Sequence, residues 1–331
     1  MIVSGNCWLD GVMGVVVGDA LGNPVQFMDR AAVARRPQGP VVGMEGGGVF
    51  RTPVGTWTDD SSMTLATLSS IKELGRCDLA DIMDRFVDWY EHGTYTPFGK
   101  AFDVGIICSG AIRKYERYKD VTACGEAQER SNGNGSLMRI LPVCLFLLDQ
   151  GTEDAEAIRV VHAVSALTHA HLRSKIGCGL YYFCVKAVLG GEGTLKERLR
   201  RGLGEGFAFY EKNAENLKDL AYYDRLRDLD AFAALPAAEI QSSGYVVHTL
   251  EAAIWTILTE ETFAATLLKA VNLGNDADTV GAVAGGLAGL HYGYENIPAE
   301  WLEVTQRREW IESLCVLSSC KAPSSPQHSP E

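Results

Sequence analysis

Helical periodicity is the feature that most restricts what this chain can fold into. Wherever a period can be read it is near that of an α-helix, and the alternating patterns of a sheet are scarce. Residues 78–93 place Leu79, Ile82, Met83, Phe86 and Tyr90 on one stripe, with Asp78 positioned to cap the helix and Gly93 to end it. Similar stripes run through 63–74, 155–167, 174–189, 194–210, 245–258 and 262–273. Turn residues mark 39–56, 93–99 and 131–135 as loops where backbone could approach a ligand. The small residues of 280–289 would let neighbouring helices come close. No fixed-period repeat or linker-like stretch divides the chain. The expectation is therefore a single compact all-α domain over residues 1–315. It is followed by a disordered tail, 316–331, in which Pro323, Pro326 and Pro330 stand among serines.

Composition narrows the function classes. With 331 residues, 47% of them hydrophobic, the chain can bury a substantial core. A formal net charge of -12 argues against a nucleic-acid surface, which needs clustered Lys and Arg to displace counterions. Backbone N–H groups or metal ions could still hold an anionic ligand. Nine cysteines, scattered without a C-x-x-C pair and mostly in apolar runs, predict reduced, buried thiols. No basic leader precedes an apolar stretch and no window of about 18 apolar residues occurs, which predicts a cytoplasmic protein without membrane contact. The lack of a long apolar surface stripe predicts a monomer.

Two short clusters carry the chemistry. Thr58-Asp59-Asp60 opens a helix with a hydroxyl and two adjacent carboxylates, and Asp276-Ala277-Asp278-Thr279 repeats that oxygen inventory before the small-residue run. Helix capping explains either cluster alone, because carboxylates suit a helix N-terminus. Together they offer enough oxygens to share between two Mg²⁺ or Mn²⁺ ions about 3.5–4 Å apart. Four carboxylates in one buried pocket would be costly without cations.

At these residues the chain resembles the ADP-ribosylglycohydrolase family, which includes the dinitrogenase-reductase-activating glycohydrolase and the ADP-ribosylarginine and ADP-ribosylserine hydrolases. Gly18-Asp19-Ala20-Leu21-Gly22, Thr58-Asp59-Asp60, the stretch 133–139, Leu167-Thr168-His169 and the stretch 272–279 follow that family's order and spacing over about residues 9–293. The resemblance implies an orthogonal helical domain with two Mg²⁺ or Mn²⁺ ions at the bottom of an ADP-ribose cleft. It implies Thr58, Asp59, Asp60, Asp276, Asp278 and Thr279 as metal ligands, and Gly133, Asn134, Gly135, Ser136 and His169 as residues around the ADP-ribose moiety. Asp103 resembles an aspartate assigned to ribose chemistry in the dinitrogenase-reductase-activating enzyme, although helix capping explains it equally well. Many members carry a glutamate where this chain has Gln26, and an amide cannot act as a general base.

The chemistry implied is metal-assisted hydrolysis of the N- or O-glycosidic bond at C1″ of the distal ribose. Asp60 or Asp278 would accept the proton of the attacking water, with Asp103 and Gln26 as the other candidate catalytic positions. Substrates would be ADP-ribosylated proteins or small molecules. Two alternatives stay open: a two-metal phosphohydrolase acting on a pyrophosphate, and a non-catalytic ADP-ribose binder.

Overall fold

The computed structural model describes residues 6–316. They form sixteen α-helices joined by loops and six short 3-10 turns, with no strand among the described residues. All but one residue of the expected tail, 316–331, lies outside that range.

The local signals act as the sequence suggests. Asp78 caps Leu79–His92 by accepting from the N–H groups of Ala80 and Asp81, and Gly93 ends it at φ 70°. Thr194 and Glu197 close a capping box on Leu195–Glu211, and Thr262 caps Phe263–Val271. Seven cysteines are free thiols, six of them buried.

Two helices form the centre and position everything else. The N-terminal helix Cys7–Gly22 and the late helix Ala277–Tyr292 are buried on nearly all sides. They run antiparallel with glycine against glycine. A Cβ on Gly14 would stand 2.1 Å from the Gly285 carbonyl oxygen, one on Gly18 2.0 Å from that of Gly281, and one on Gly289 2.0 Å from that of Asp10. At the far end of this seam a Cβ on Gly22 would stand 2.3 Å from Asp278 Cα. Backbones in such contact gain dispersion and weak Cα–H···O interactions along their length, and any side chain would force them apart. The seam therefore fixes where the start of the second helix lies, and with it Asp278.

The remaining helices wrap this pair. Buried apolar side chains from the pair and its surroundings, among them Trp8, Trp57, Phe86, Tyr181, Phe183 and Leu287, join one continuous cluster. No helix is long and apolar enough to cross a membrane among the described residues.

The seam yields a stability prediction. Gly18→Ala should cost about 3 kcal/mol or prevent folding, at the upper end of overpacking costs because backbone rather than a flexible side chain must move. Gly204, in an exposed helical position with open space at its Cβ, provides the contrast. Gly204→Ala should stabilise by about 0.5–1 kcal/mol through reduced backbone freedom in the unfolded chain. Urea unfolding of both variants against the natural protein checks the sign of each.

Candidate active site

The two acidic clusters meet at the starts of two buried helices. Thr58 caps Asp59–Leu74, its hydroxyl accepting from the Asp60 N–H at 3.4 Å and donating to Asp60 Oδ2 at 3.2 Å. From the other cluster, the Thr279 hydroxyl donates to the same Asp60 oxygen at 3.4 Å. One carboxylate oxygen each from Asp19, Asp60 and Asp278 lies within 4.8 Å of the others. Asp59, Asp60, Asp276, Asp278 and Thr279 line one cavity of about 630 Å³, together with Gln26, Asp103, Gly133, Asn134, Gly135 and His169. A second cavity of the same volume, lined among others by Lys196, Glu260, Glu261 and His291, holds none of these residues.

Asp19 belongs to this cluster but has a different task. Its carboxylate accepts from the Thr58 N–H at 2.9 Å, the Ser61 N–H at 3.0 Å and the Ser61 hydroxyl at 2.5 Å. With these partners it anchors the first turn that presents Asp59 and Asp60, rather than facing the cavity with free oxygens. The motif around Asp19 is visible in the sequence, but nothing local indicates a partner some forty residues on.

The electrostatics favour a cation. Burial is the largest cause raising the carboxyls of Asp59, Asp60 and Asp278 well above the usual range, and repulsion among neighbouring aspartates adds to it. Burial also pushes Asp19 up to about 7, against the hydrogen bonds that favour its charged form. Asp60 Oδ1 and Asp278 Oδ1 are buried with no hydrogen-bond partner among the described residues. Buried, unpaired, mutually repelling oxygens of this kind fit hard divalent cations, which take oxygen ligands and supply the missing positive charge.

The loop 131–135 is held from behind. Asn134 N–H donates to the Gly244 carbonyl at 3.0 Å, and Val246 N–H to that of Asn132 at 3.0 Å. Arg139 donates to the Gly135 carbonyl, and through its other nitrogen to Thr168 Oγ1 at 2.9 Å. A Cβ on Gly135 would stand 2.8 Å from the His169 ring and 2.9 Å from Cys108 Sγ. At Gly135 the packing beneath the loop therefore requires glycine, a reason not legible in the sequence.

Two members of the expected ADP-ribose set also have partners within the protein. The Asn134 amide donates to Asp276 Oδ2, and to Thr249 Oγ1 at 2.8 Å, so its side chain orients an aspartate of the cluster. Ser136 is absent from the cavity lining, and its hydroxyl accepts from that of Ser165 at 2.9 Å in the core. His169 does line the cavity. Burial and the nearby Arg139 hold its pKa down to about 3, so it is a neutral hydrogen-bonding group and not a cation. Thr168 Oγ1, which accepts from Arg139, sits 2.8 Å from His169 Nδ1. A Thr168 hydroxyl that donates to Nδ1 leaves the ring proton on Nε2, and one that accepts from Nδ1–H leaves Nε2 an acceptor.

Gln26 is buried beside the cluster. Its amide nitrogen donates to Asp103 Oδ2 at 2.6 Å and to Asn23 Oδ1 at 3.3 Å. Asp103 sits at φ 55°, and burial pushes its carboxyl up to about 6 although the Gln26 bond opposes this. It is not the N-cap of the helix that follows, Ile106–Tyr118, which is Gly105. The capping explanation for Asp103 therefore falls away.

Comparison with known proteins places this geometry. The family model described as ADP-ribosylglycohydrolase matches residues 8–325. The chain is 31% identical to "ADP-ribosylarginine hydrolase Tri1" of Serratia proteamaculans, over 92% of this chain and 76% of that protein. It is 33% identical to "ADP-ribosyl-[dinitrogen reductase] glycohydrolase" of Rhodospirillum rubrum, over 89% and 88% respectively. The human "ADP-ribosylhydrolase ARH3" is 25% identical over 91% of this chain and 89% of its own. A solved structure titled "ADP-ribosylglycohydrolase-related protein complex" superposes with a TM-score of 0.72 at 29% identity, covering 94% of this chain and 95% of that one.

The carboxylate cluster predicts a pH response. A folded-state pKa raised above the unfolded value of about 3.9 means that the folded protein binds more protons. That contribution to stability is complete below about pH 4 and is lost as the pH rises through about 7, the value for Asp19. Cation-free protein should therefore melt at a lower temperature at pH 8 than at pH 5.5, and millimolar Mn²⁺ or Mg²⁺ should remove the difference. Asp278→Asn should flatten the pH dependence and weaken the rise that cation produces. Calorimetric Tm values that ignore both pH and cation would refute a cation-binding cluster.

Proposed function

This chain belongs to the ADP-ribosylglycohydrolase family, and we propose that it cleaves the bond between C1″ of the distal ribose and an arginine nitrogen, releasing ADP-ribose in a cation-dependent reaction. The observation that carries the reading is the group of unpaired buried carboxylate oxygens, Asp60 Oδ1 and Asp278 Oδ1, at the floor of a cavity large enough for much of a nucleotide-sized ligand. The likeness to two ADP-ribosylarginine hydrolases, at 31% and 30% identity, supports arginine as the aglycone.

Thr58, Asp59, Asp60, Asp276, Asp278 and Thr279 would hold two Mg²⁺ or Mn²⁺ ions, which supply Lewis acidity for orienting sugar hydroxyls and acidifying a water. The residues of the chain do the rest. Asn134 and Asp19 keep the carboxylates in register through their hydrogen bonds. Gly133 and Gly135 line the wall of the cavity, and the neutral His169, with its ring proton on Nε2, offers that N–H to a phosphate oxygen.

Asp103, with a carboxyl at about 6, lies near the operating pH, where a group can either take or return a proton. It is the residue suited to exchange a proton with the attacking water or the leaving guanidine. Gln26 replaces the family's usual glutamate as a fixed donor that orients Asp103, so the missing base at position 26 does not leave the site without a carboxylate.

Three measurements test this. Arginine-linked ADP-ribose should yield free ADP-ribose and no AMP, and EDTA should abolish turnover; AMP as product would favour the phosphohydrolase reading. Asp60→Ala should lower kcat by a factor of about 10³ or more, comparable to removal of a principal stabilising group. Gln26→Ala should lower it only about 10-fold, because it loosens Asp103 without removing a charge. An inert natural protein that Gln26→Glu awakens would overturn the assignment of Asp103.

A further inference from the structure

The loops 39–56 and 93–99 meet the mouth of the cavity through a ladder of phenylalanines. Phe98 stacks on Phe102 with ring centroids 5.3 Å apart, Phe102 meets Phe50 edge to face at 5.3 Å, and Phe50 meets Phe27 edge to face at 6.4 Å. Three of these rings are open to solvent: Phe27 by 64%, Phe98 by 50% and Phe50 by 38%. Burying one such ring would gain about 1.5–3 kcal/mol, so a contiguous exposed set beside a cleft marks a contact surface and not ordinary surface scatter.

The ladder is continuous with the reaction centre. Phe27 lines the cavity and follows Gln26, while Phe102 precedes Asp103. Both Phe27, at φ 64°, and Asp103, at φ 55°, occupy the left-handed region, which is a true outlier for a bulky side chain. The strain is held by specific partners. Phe27 N–H donates to the Asn275 carbonyl at 2.6 Å and Asn275 N–H returns a bond to the Met28 carbonyl at 2.6 Å, which ties the ring to the segment carrying Asp276.

We propose that this ladder is the aglycone wall and that it selects a planar cation, the guanidinium of an arginine-linked ADP-ribose. The assignment rests on the hydrolase reading above and adds the residues that would choose the leaving group. Aromatic faces are electron-rich and attract a guanidinium, which stacks on them while its N–H groups stay free. Asp103 lines the same cavity and follows Phe102, so its carboxylate adds negative potential beside the rings. A seryl O-glycoside is uncharged and gains from neither feature. An uncharged nucleobase would stack on the rings but gain nothing from the carboxylate.

The test compares Phe27→Leu and Phe50→Leu with the natural protein. Leucine keeps an apolar side chain and removes the π face. For an ADP-ribosylarginine peptide, kcat/KM should fall about 3- to 30-fold, the range spanned by cation–π attraction. For an O-linked ADP-ribosylserine peptide it should change less than twofold, and the calorimetric Kd for ADP-ribose should stay put. Phe27→Tyr and Phe50→Tyr should restore the arginine preference, which separates loss of the face from local misfolding. Equal losses on both peptides, or none, would overturn the wall. Absence of turnover on either peptide by the natural protein would instead refute the hydrolase reading. In that case the wall stands or falls on whether the unreacting protein binds ADP-ribosylarginine more tightly than ADP-ribose, and whether Phe27→Leu erases that advantage.

Discussion

Everything about this molecule depends on two backbones touching. Gly14 and Gly18 on the N-terminal helix face Gly285 and Gly281 on the late helix, while Gly22 packs on the backbone of Asp278 and Gly289 on that of Asp10. This contact brings Asp19 on one strand of the seam and Asp278 on the other to a common end, and Asp60 completes the group through the anchor that Asp19 provides. A conventional pair of helices with Leu and Val at the interface would hold their axes about 8–10 Å apart. The oxygens at their ends would separate correspondingly. Close packing here is the condition for the charge cluster to exist.

That cluster is destabilising taken by itself. Five aspartates with carboxyls raised by burial, two of them with an oxygen that nothing satisfies, oppose the folding that the glycine seam drives. The protein tolerates the opposition because the seam and the surrounding apolar core are extensive, and a bound cation would turn the cost into affinity. Rigidity matters at the periphery as well. Hydrogen bonds from Asp19, Asn134 and Arg139 brace the site and leave its residues few alternative positions.

Much of this was legible in the sequence. The helical stripes, the cap at Asp78 with its stop at Gly93, and the two acidic helix starts are local patterns, so a sequence displays them directly. The small-residue run 280–289 announced a close helix contact, although its partner glycines could not be identified from it. What escaped depends on long-range placement. The partners of Asn134 lie more than a hundred residues away, and the amide carries no local mark of its task. Ser136 sits in the right motif with its hydroxyl turned into the core. The phenylalanine ladder draws one ring each from 27, 50, 98 and 102, segments whose composition reads only as loop.

The antiparallel seam also has a consequence in time. Asp60 and Thr279, which share a hydrogen bond, are 219 positions apart in the chain. At the usual rates of protein synthesis the second half of the centre emerges about 10 to 40 s after the first. Throughout that interval the glycine face of the N-terminal helix has no partner, and Asp59 and Asp60 stand without the residues that complete their site. Assembly of the centre is thereby a report that nearly the whole chain has been made and has found its place.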